Sequence, residues 1–165
     1  MSPQEAHHDD VTIDVFSSAG LCRGILRVPP GTTLLEHVNR AGEHLRLGDA
    51  SLEDDPQHLP FLAVRRENVH IVVPRDAHGL EIAAPRLDGG KIVDVAGVMD
   101  LYRFHGKVRL APAQRVTDFF AAAPAFVPLR DASIWRSGGP NAKPLETTVA
   151  LIRAHAVIAF SDTLE

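Results

Sequence analysis

The sequence has little cysteine, few lysines and no long apolar run, and each shortage excludes a class of protein. Its single cysteine, Cys22, excludes an internal disulfide and a cluster of thiolate metal ligands. No apolar stretch reaches the length of about 18 residues that a membrane-spanning helix requires. The first ten residues lack the basic and then apolar layout of a signal peptide, so we expect a cytoplasmic protein with no membrane partner.

The charge balance also disfavours one class of partner. The chain carries 17 Lys and Arg against 21 Asp and Glu, a formal net charge of -4, which gives no overall attraction to phosphate backbones. Binding of a nucleic acid would need a local basic patch. The preference for arginine over lysine, together with much alanine, is typical of a GC-rich bacterial genome.

Two nearly identical hexapeptides, LGDASL at 47–52 and LRDASI at 129–134, indicate an internal repeat. Residues 21–52 align without a gap on residues 103–134, and eight positions are identical. The identical pairs are Gly24/Gly106, Arg27/Arg109, Pro30/Pro112, Ala41/Ala123, Leu47/Leu129, Asp49/Asp131, Ala50/Ala132 and Ser51/Ser133. Beyond a longer loop in the second copy, residues 61–73 align on 148–160. The pattern predicts one supersecondary unit used twice in tandem.

The repeat predicts the domain boundaries. We expect a flexible tail at residues 1–10, a first β-rich unit at 11–74, a linker rich in Gly, Pro and charge at 75–91, and a second unit at 92–161. A unit of about 65 residues is near the lower limit for independent folding. The two units should therefore pack on each other.

Within each unit the hydrophobic pattern predicts five short strands and one helix. Alternating residues predict a hairpin, a proline stops its second strand, and Thr33 with Glu36 forms a capping box that begins a helix. The repeated Gly24 and Gly106 stand inside a strand pattern, which indicates a bulge or a tight bend. The predicted fold is mainly β with short helices: two tandem, five-stranded, strongly bent barrel-like units of Sm/SH3 type, each with its helix after the second strand.

The second unit resembles an uncharacterised bacterial family of small β-rich domains with the pattern R-x-x-D-F…F-x-P-L-x-D-A. The matching residues are Gly106, Arg115, Asp118, Phe119, Phe126, Leu129, Asp131 and Ala132. The first unit departs from the pattern, with Thr33, Glu36 and His37 in place of its arginine, aspartate and phenylalanine. The resemblance implies a fold and carries no activity.

A second likeness concerns the closing strands. Residues 65–74 and 152–160 resemble the last strand pair of the Sm-like RNA-binding fold, although Sm-like proteins carry their helix before the first strand. This resemblance implies an RNA-binding or regulatory module that would use Arg65, Arg66 and Arg153.

The residues that carry catalysis elsewhere occur here without their motifs. The histidines and aspartates of residues 7–10 are adjacent in a tail, which does not preorganise a metal site. Ser51 and Ser133 lack a nucleophile elbow, and the glycine pair before Lys91 lacks the rest of a phosphate-binding loop. We therefore expect no catalytic residue, no metal ligand and no cofactor.

These observations favour a non-enzymatic protein-interaction or assembly protein, a scaffold that binds another protein or its own copies through exposed strand edges and the loop at 135–147. The predicted interaction residues are Trp135, Arg136, Asn141, Lys143, Arg65, Arg66 and Arg153. Two alternatives stay open. One is the Sm-like RNA-binding module, and the other is a small-molecule enzyme with a cleft between the units lined by His37, His44 or His105.

Overall fold

The computed structural model describes residues 8–138 and 143–162, which form ten strands and three short α-helices. In chain order the elements are β1 (Asp9–Ser17), β2 (Gly20–Val28), α1 (Leu34–Arg40), β3 (His44–Leu52), β4 (Asp55–Arg65), β5 (Val69–Pro74), α2 (Ala77–Glu81), β6 (Lys91–Val98), β7 (Tyr102–Leu110), α3 (Val116–Ala121), β8 (Phe126–Arg136), β9 (Leu145–Arg153) and β10 (Ala159–Asp162). Short 3-10 helices at Arg66–Asn68 and Ala154–Ala156 connect β4 to β5 and β9 to β10. The predicted class, mainly β with short helices, is confirmed.

All ten strands belong to one antiparallel sheet in the order β10-β6-β7-β8-β9-β5-β1-β2-β3-β4. The five strands of the N-terminal half (residues 9–74) lie in the order β5-β1-β2-β3-β4. Those of the C-terminal half (residues 91–162) lie in the corresponding order β10-β6-β7-β8-β9. In each half the α-helix follows the second strand.

The repeated hexapeptide forms the same distortion in both halves. In each ladder between the second and third strands, the third strand holds one extra residue, opposite Gly24 or Gly106. Asp49 and Asp131 adopt left-handed backbone angles there, with φ of 46° and 45°. Aspartate tolerates this conformation better than most residues do. The predicted bulge is thus present at both glycines, and it bends the sheet.

The described strands do not form the two separate barrel-like units that the sequence predicts. They form a single sheet whose outer strands, β4 and β10, each have one neighbour in the described part of the chain. The reason is the pairing of β5 with β9, which joins the edge of one half to the edge of the other.

The sheet surrounds two apolar cores, one for each half. Successive residues of β5 point into different cores: Ile71 and Val73 pack in the C-terminal core, whereas Val72 packs in the N-terminal core. All six residues of β5 are consequently buried. A strand that is covered on both faces needs an unbroken apolar sequence, and Val69–Pro74 supplies one apart from His70.

The ladders correct the alignment of the closing strands by one residue. Gly48 pairs with Phe61 and its equivalent Arg130 pairs with Val149, so Phe61 is equivalent to Val149 and not to Thr148. The two 3-10 helices fit the same register, since Arg66 is then equivalent to Ala154. The connection between the third and fourth strands is therefore six residues longer in the C-terminal half.

The boundaries of the halves differ slightly from those predicted. Residues 1–7 of the predicted tail lie outside the described residues, but β1 already begins at Asp9. The predicted linker contains α2, whose cap residue Asp76 accepts hydrogen bonds from the backbone of Gly79 (2.7 Å) and Thr12 (2.9 Å). Among the described residues, none of the helices has the length and apolar character needed to cross a bilayer.

Candidate assembly interface

The contact between the two halves is an edge-to-edge strand pairing, which we call the junction. Ile71 and Val72 of β5 pair with Ile152 and Leu151 of β9 in antiparallel register. Within its own half, β5 pairs with β1 and β9 pairs with β8. The junction therefore uses the second edge of each strand, which these ladders leave unpaired.

Side chains add three hydrogen bonds and one ion pair to the junction. The amide of Asn39 in α1 accepts from the Phe126 N–H (2.7 Å) and donates to the Phe126 carbonyl (3.1 Å). The Tyr102 hydroxyl donates to the Ser17 carbonyl at 3.2 Å, and Arg136 forms an ion pair with Glu53 at 3.5 Å. The hydrogen bonds of Asn39 and Tyr102 thereby join the halves beside the Ile71/Ile152 end of the short ladder.

Six side chains cross the junction and complete the core of the opposite half. Phe126, Val149 and Leu151 pack in the N-terminal core, and Phe16, Ile71 and Val73 pack in the C-terminal core. All six are buried, none being more than 8% exposed. Each core therefore includes three side chains from the other half.

The equivalents of these six residues are all exposed, on the outer strands β4 and β10 and at the adjoining ends of β3 and β6. His44, Phe61 and Ala63 correspond to Phe126, Val149 and Leu151, and Val98, Ala159 and Ser161 correspond to Phe16, Ile71 and Val73. Phe61 is 60% exposed where Val149 is 1% exposed, and Val98 is 37% exposed where Phe16 is 8% exposed. The edge at β4 thus resembles the β9 side of the junction, and the edge at β10 resembles the β5 side. In the described part of the chain, neither edge has a partner strand.

The β4 edge is open over only part of its length. Pro56 and Pro60 lack the N–H that strand pairing uses, which restricts the pairing segment to Phe61–Arg65. On the other outer strand, Ile158 stands immediately before β10 and is 66% exposed, whereas its equivalent His70 is buried. Apolar residues therefore mark both edges at the level of the junction.

The predicted interaction residues of the second half lie near one end of β8. Trp135 is half-buried on the outer face of the sheet and is the cross-strand neighbour of Arg103. Arg136 is exposed and pairs with Glu53, so it contributes to the junction. Lys143 is exposed just before β9, and Asn141 lies outside the described residues.

The three arginines predicted for RNA binding have different surroundings. Arg66 donates to the carbonyls of Val38 (3.2 Å) and Asn39 (2.8 Å) and so caps the end of α1. Arg65 is exposed and lies 3.4 Å from Glu67. Arg153 is half-buried at the end of β9, which does not pair with β4. The structure does not bring the three into one basic surface on neighbouring strands.

The histidines proposed to line a cleft between the halves do not share a site. His37 and His44 line a surface groove of the N-terminal half, whereas His105 is exposed on β7 between Ala96 and Ser133. Packed apolar side chains from both cores occupy the junction instead. Within residues 8–138 and 143–162, no three His, Cys, Asp or Glu side chains are grouped so that they could hold a metal ion.

Sequence reasoning missed the residues that build the junction itself, above all Asn39 and Tyr102. In the sequence these two residues differ from their equivalents in the other half, which are Ala121 and Gly20. That difference between the repeats is the only sign of their role. Comparison of the chain with protein-family models, curated proteins and solved structures finds no match.

Proposed function

We propose that this chain is a non-enzymatic assembly protein whose copies join head to tail through β10 of one copy and β4 of the next. The observation that carries the proposal is the junction, in which the same two kinds of edge already pair within one chain. The resemblance of each half to one small β-rich unit, duplicated in tandem, supports the same reading.

The junction also predicts the register between copies. Ile71 and Val72 correspond to Ala159 and Phe160, and Ile152 and Leu151 correspond to Val64 and Ala63. Ala159 would then pair with Val64, and Phe160 with Ala63, of the next copy. In this register Phe61 and Val98 are buried in the way that Val149 and Phe16 are buried now, which removes exposed apolar surface from water.

The contact between copies should be weaker than the junction. Ala121 and Gly20 replace Asn39 and Tyr102 at the equivalent positions, so the hydrogen bonds to Phe126 and Ser17 have no counterpart. Association is consequently reversible and depends on concentration. Because the contact is heterologous, the copies form a ring if the rotation closes and an open filament if it does not.

Sedimentation velocity over a range of protein concentrations tests this assembly. The wild-type chain should shift from monomer to multimers as the concentration rises. Phe61→Lys and Val98→Lys each place a charge in the predicted contact, and each should keep the chain monomeric at concentrations where the wild type is multimeric.

The matched control is Leu87→Lys, which replaces another exposed apolar residue (57% exposed) that belongs to neither outer strand. It should leave the association unchanged. A wild-type chain that stays monomeric throughout, or multimers that Phe61→Lys and Val98→Lys do not weaken, would refute the proposal.

A further inference from the structure

The outer face of β7 carries a row of basic side chains. Arg103, His105 and Lys107 are exposed and Arg109 is half-buried, at alternate positions that point to the same face. Arg103 and Arg109 lie about 20 Å apart along the strand at a rise of about 3.4 Å per residue. Arg130 of β8 is the cross-strand neighbour of Lys107 and extends the row sideways.

Two arginines of the N-terminal half, Arg23 and Arg27, correspond to His105 and Arg109 and show how such charges are neutralised. Arg23 contacts the buried Asp14 at 2.7 Å and Arg27 contacts Asp10 at 3.8 Å, both across the β1–β2 ladder. The C-terminal half holds Ala96 and Ile92 in place of these two aspartates. Arg109 therefore lacks the ion pair that Arg27 forms, and among the residues that the structure describes Arg103 and Lys107 form none either.

Nearby acids reduce the positive charge without cancelling it. Asp94 is the cross-strand neighbour of Lys107, and Asp88 and Asp131 line the groove of about 340 Å³ beside Arg109. Arg86, Lys107, Arg109 and Arg130 line the same groove. Two of these guanidinium groups are held by backbone carbonyls, Arg109 by that of Gly89 and Arg130 by that of Pro85 at 3.3 Å. Part of the cationic surface is therefore preorganised.

Aromatic and apolar surface lies at the two ends of the row. Trp135 is the cross-strand neighbour of Arg103, and Ile92, which is 60% exposed, is that of Arg109. An extended basic track beside an aromatic ring is the combination that binds single strands, because phosphates meet the cations while a base stacks on the ring.

We propose that the outer face of β7 binds single-stranded nucleic acid, with phosphates on Arg103, Lys107 and Arg109 and a base against Trp135. The site is distinct from the β4 and β10 edges and does not require self-association. It also places nucleic-acid binding on residues other than Arg65, Arg66 and Arg153.

Trp135 is the only tryptophan, so its fluorescence reports this site alone. The test titrates an oligouridylate of about ten nucleotides into the full chain carrying Phe61→Lys, which separates binding from assembly. We expect quenching of Trp135 and an affinity that falls with salt, with a slope of about -0.7 for each phosphate contact. Lys107→Ala with Arg109→Ala should weaken binding roughly tenfold or more and reduce that slope.

The control, Arg27→Ala with Arg46→Ala, removes the same number of charges from the N-terminal half and should bind as the parent does. Three results would overturn the proposal: no binding at low salt, equal weakening by the control pair, or polyglutamate binding that matches the oligouridylate in affinity and quenching. The last result would assign the surface to acidic peptides.

Discussion

At the scale of single residues, the sheet depends on two glycines that face the bulges. A Cβ on Gly24 would lie 2.8 Å from the Leu47 Cβ and 3.0 Å from the Gly48 carbonyl oxygen. A Cβ on Gly106 would lie 2.6 Å from the Leu129 Cγ and 2.9 Å from the Arg130 carbonyl oxygen. Three of these four contacts are shorter than real Cβ atoms show and the fourth is at the limit, and the backbone oxygens cannot rotate away.

Gly106→Ala should therefore lower the free energy of unfolding by about 1 to 3 kcal/mol, the usual cost of overpacking. Gly42→Ala serves as the control, because a Cβ there meets nothing within 4 Å. Urea denaturation measures both. Equal stability of the two variants would contradict the close approach of the second and third strands.

A buried histidine gives the fold a dependence on pH. His70 is 7% exposed, its Nδ1 has no hydrogen-bond partner, and its ring meets that of Tyr102 edge to face. Burial lowers the pKa of His70, and Arg153 lowers it further while Asp100 opposes the shift. In the unfolded chain His70 therefore takes up a proton near its ordinary pKa of about 6.5, whereas in the folded chain it does so only at a lower pH.

The contribution of neutral His70 to the free energy of unfolding should be fully present above about pH 6.5 and should fall as the pH drops below that value. His70→Phe keeps the edge-to-face contact and should reduce this loss, measured as the difference in unfolding free energy between about pH 7.5 and about pH 5.5. Part of the loss should remain, because burial lowers the pKa of His37 as well. His155→Phe, at an exposed position, should leave this difference in unfolding free energy unchanged. If His70→Phe loses as much stability between the two pH values as the wild type does, His70 is not the source of the loss.

At the scale of elements, α1 holds the two halves together through one side chain. Asn39→Ala removes both hydrogen bonds to the Phe126 backbone and leaves a partly buried donor and acceptor without partners. The expected loss of unfolding free energy is about 1 to 3 kcal/mol. Asn68→Ala is the control, since Asn68 is exposed and contributes its backbone carbonyl, which the substitution retains. Equal stability of both variants would show that Asn39 does not secure the junction.

The elements also show where sequence reasoning succeeds and where it stops. The bulge follows from local chemistry, a glycine opposite a repeated Asp-Ala-Ser, and could be predicted. The register of β9 could not, because Val149-Ala-Leu-Ile152 is apolar throughout and gives no alternation to fix a face. That uniformity exists because alternate residues of β9 pack in two different cores, a consequence of the junction that no local pattern contains.

At the scale of the whole molecule, the chain contains one complete contact, the junction, and leaves the equivalents of both its sides exposed. The junction buries six side chains whose equivalents, on β4 and β10 and at the adjoining ends of β3 and β6, are exposed. Natural proteins protect exposed strand edges, and the prolines of β4 shorten this one without closing it. The remaining segment, Phe61–Arg65, is long enough for a pairing of two residues like that of the junction. The proposed addition of a second copy would bury these positions.

Cross-linking in the predicted register tests this most directly. Paired residues of antiparallel strands have Cα atoms about 4.5 to 5.5 Å apart, within the range that a disulfide bridges. A chain carrying both Ala63→Cys and Phe160→Cys should form a ladder of covalent multimers under mild oxidation. Cys22 should take no part, since it is buried and burial raises the pKa of its thiol.

The control is Leu62→Cys with Phe160→Cys, in which a shift of one residue turns the cysteine to the opposite face of the strand. The account predicts a ladder of disulfide-linked multimers on a non-reducing gel for the first variant and monomer for the control. Monomer from both variants, or the same ladder from both, would contradict the head-to-tail pairing of β10 with β4.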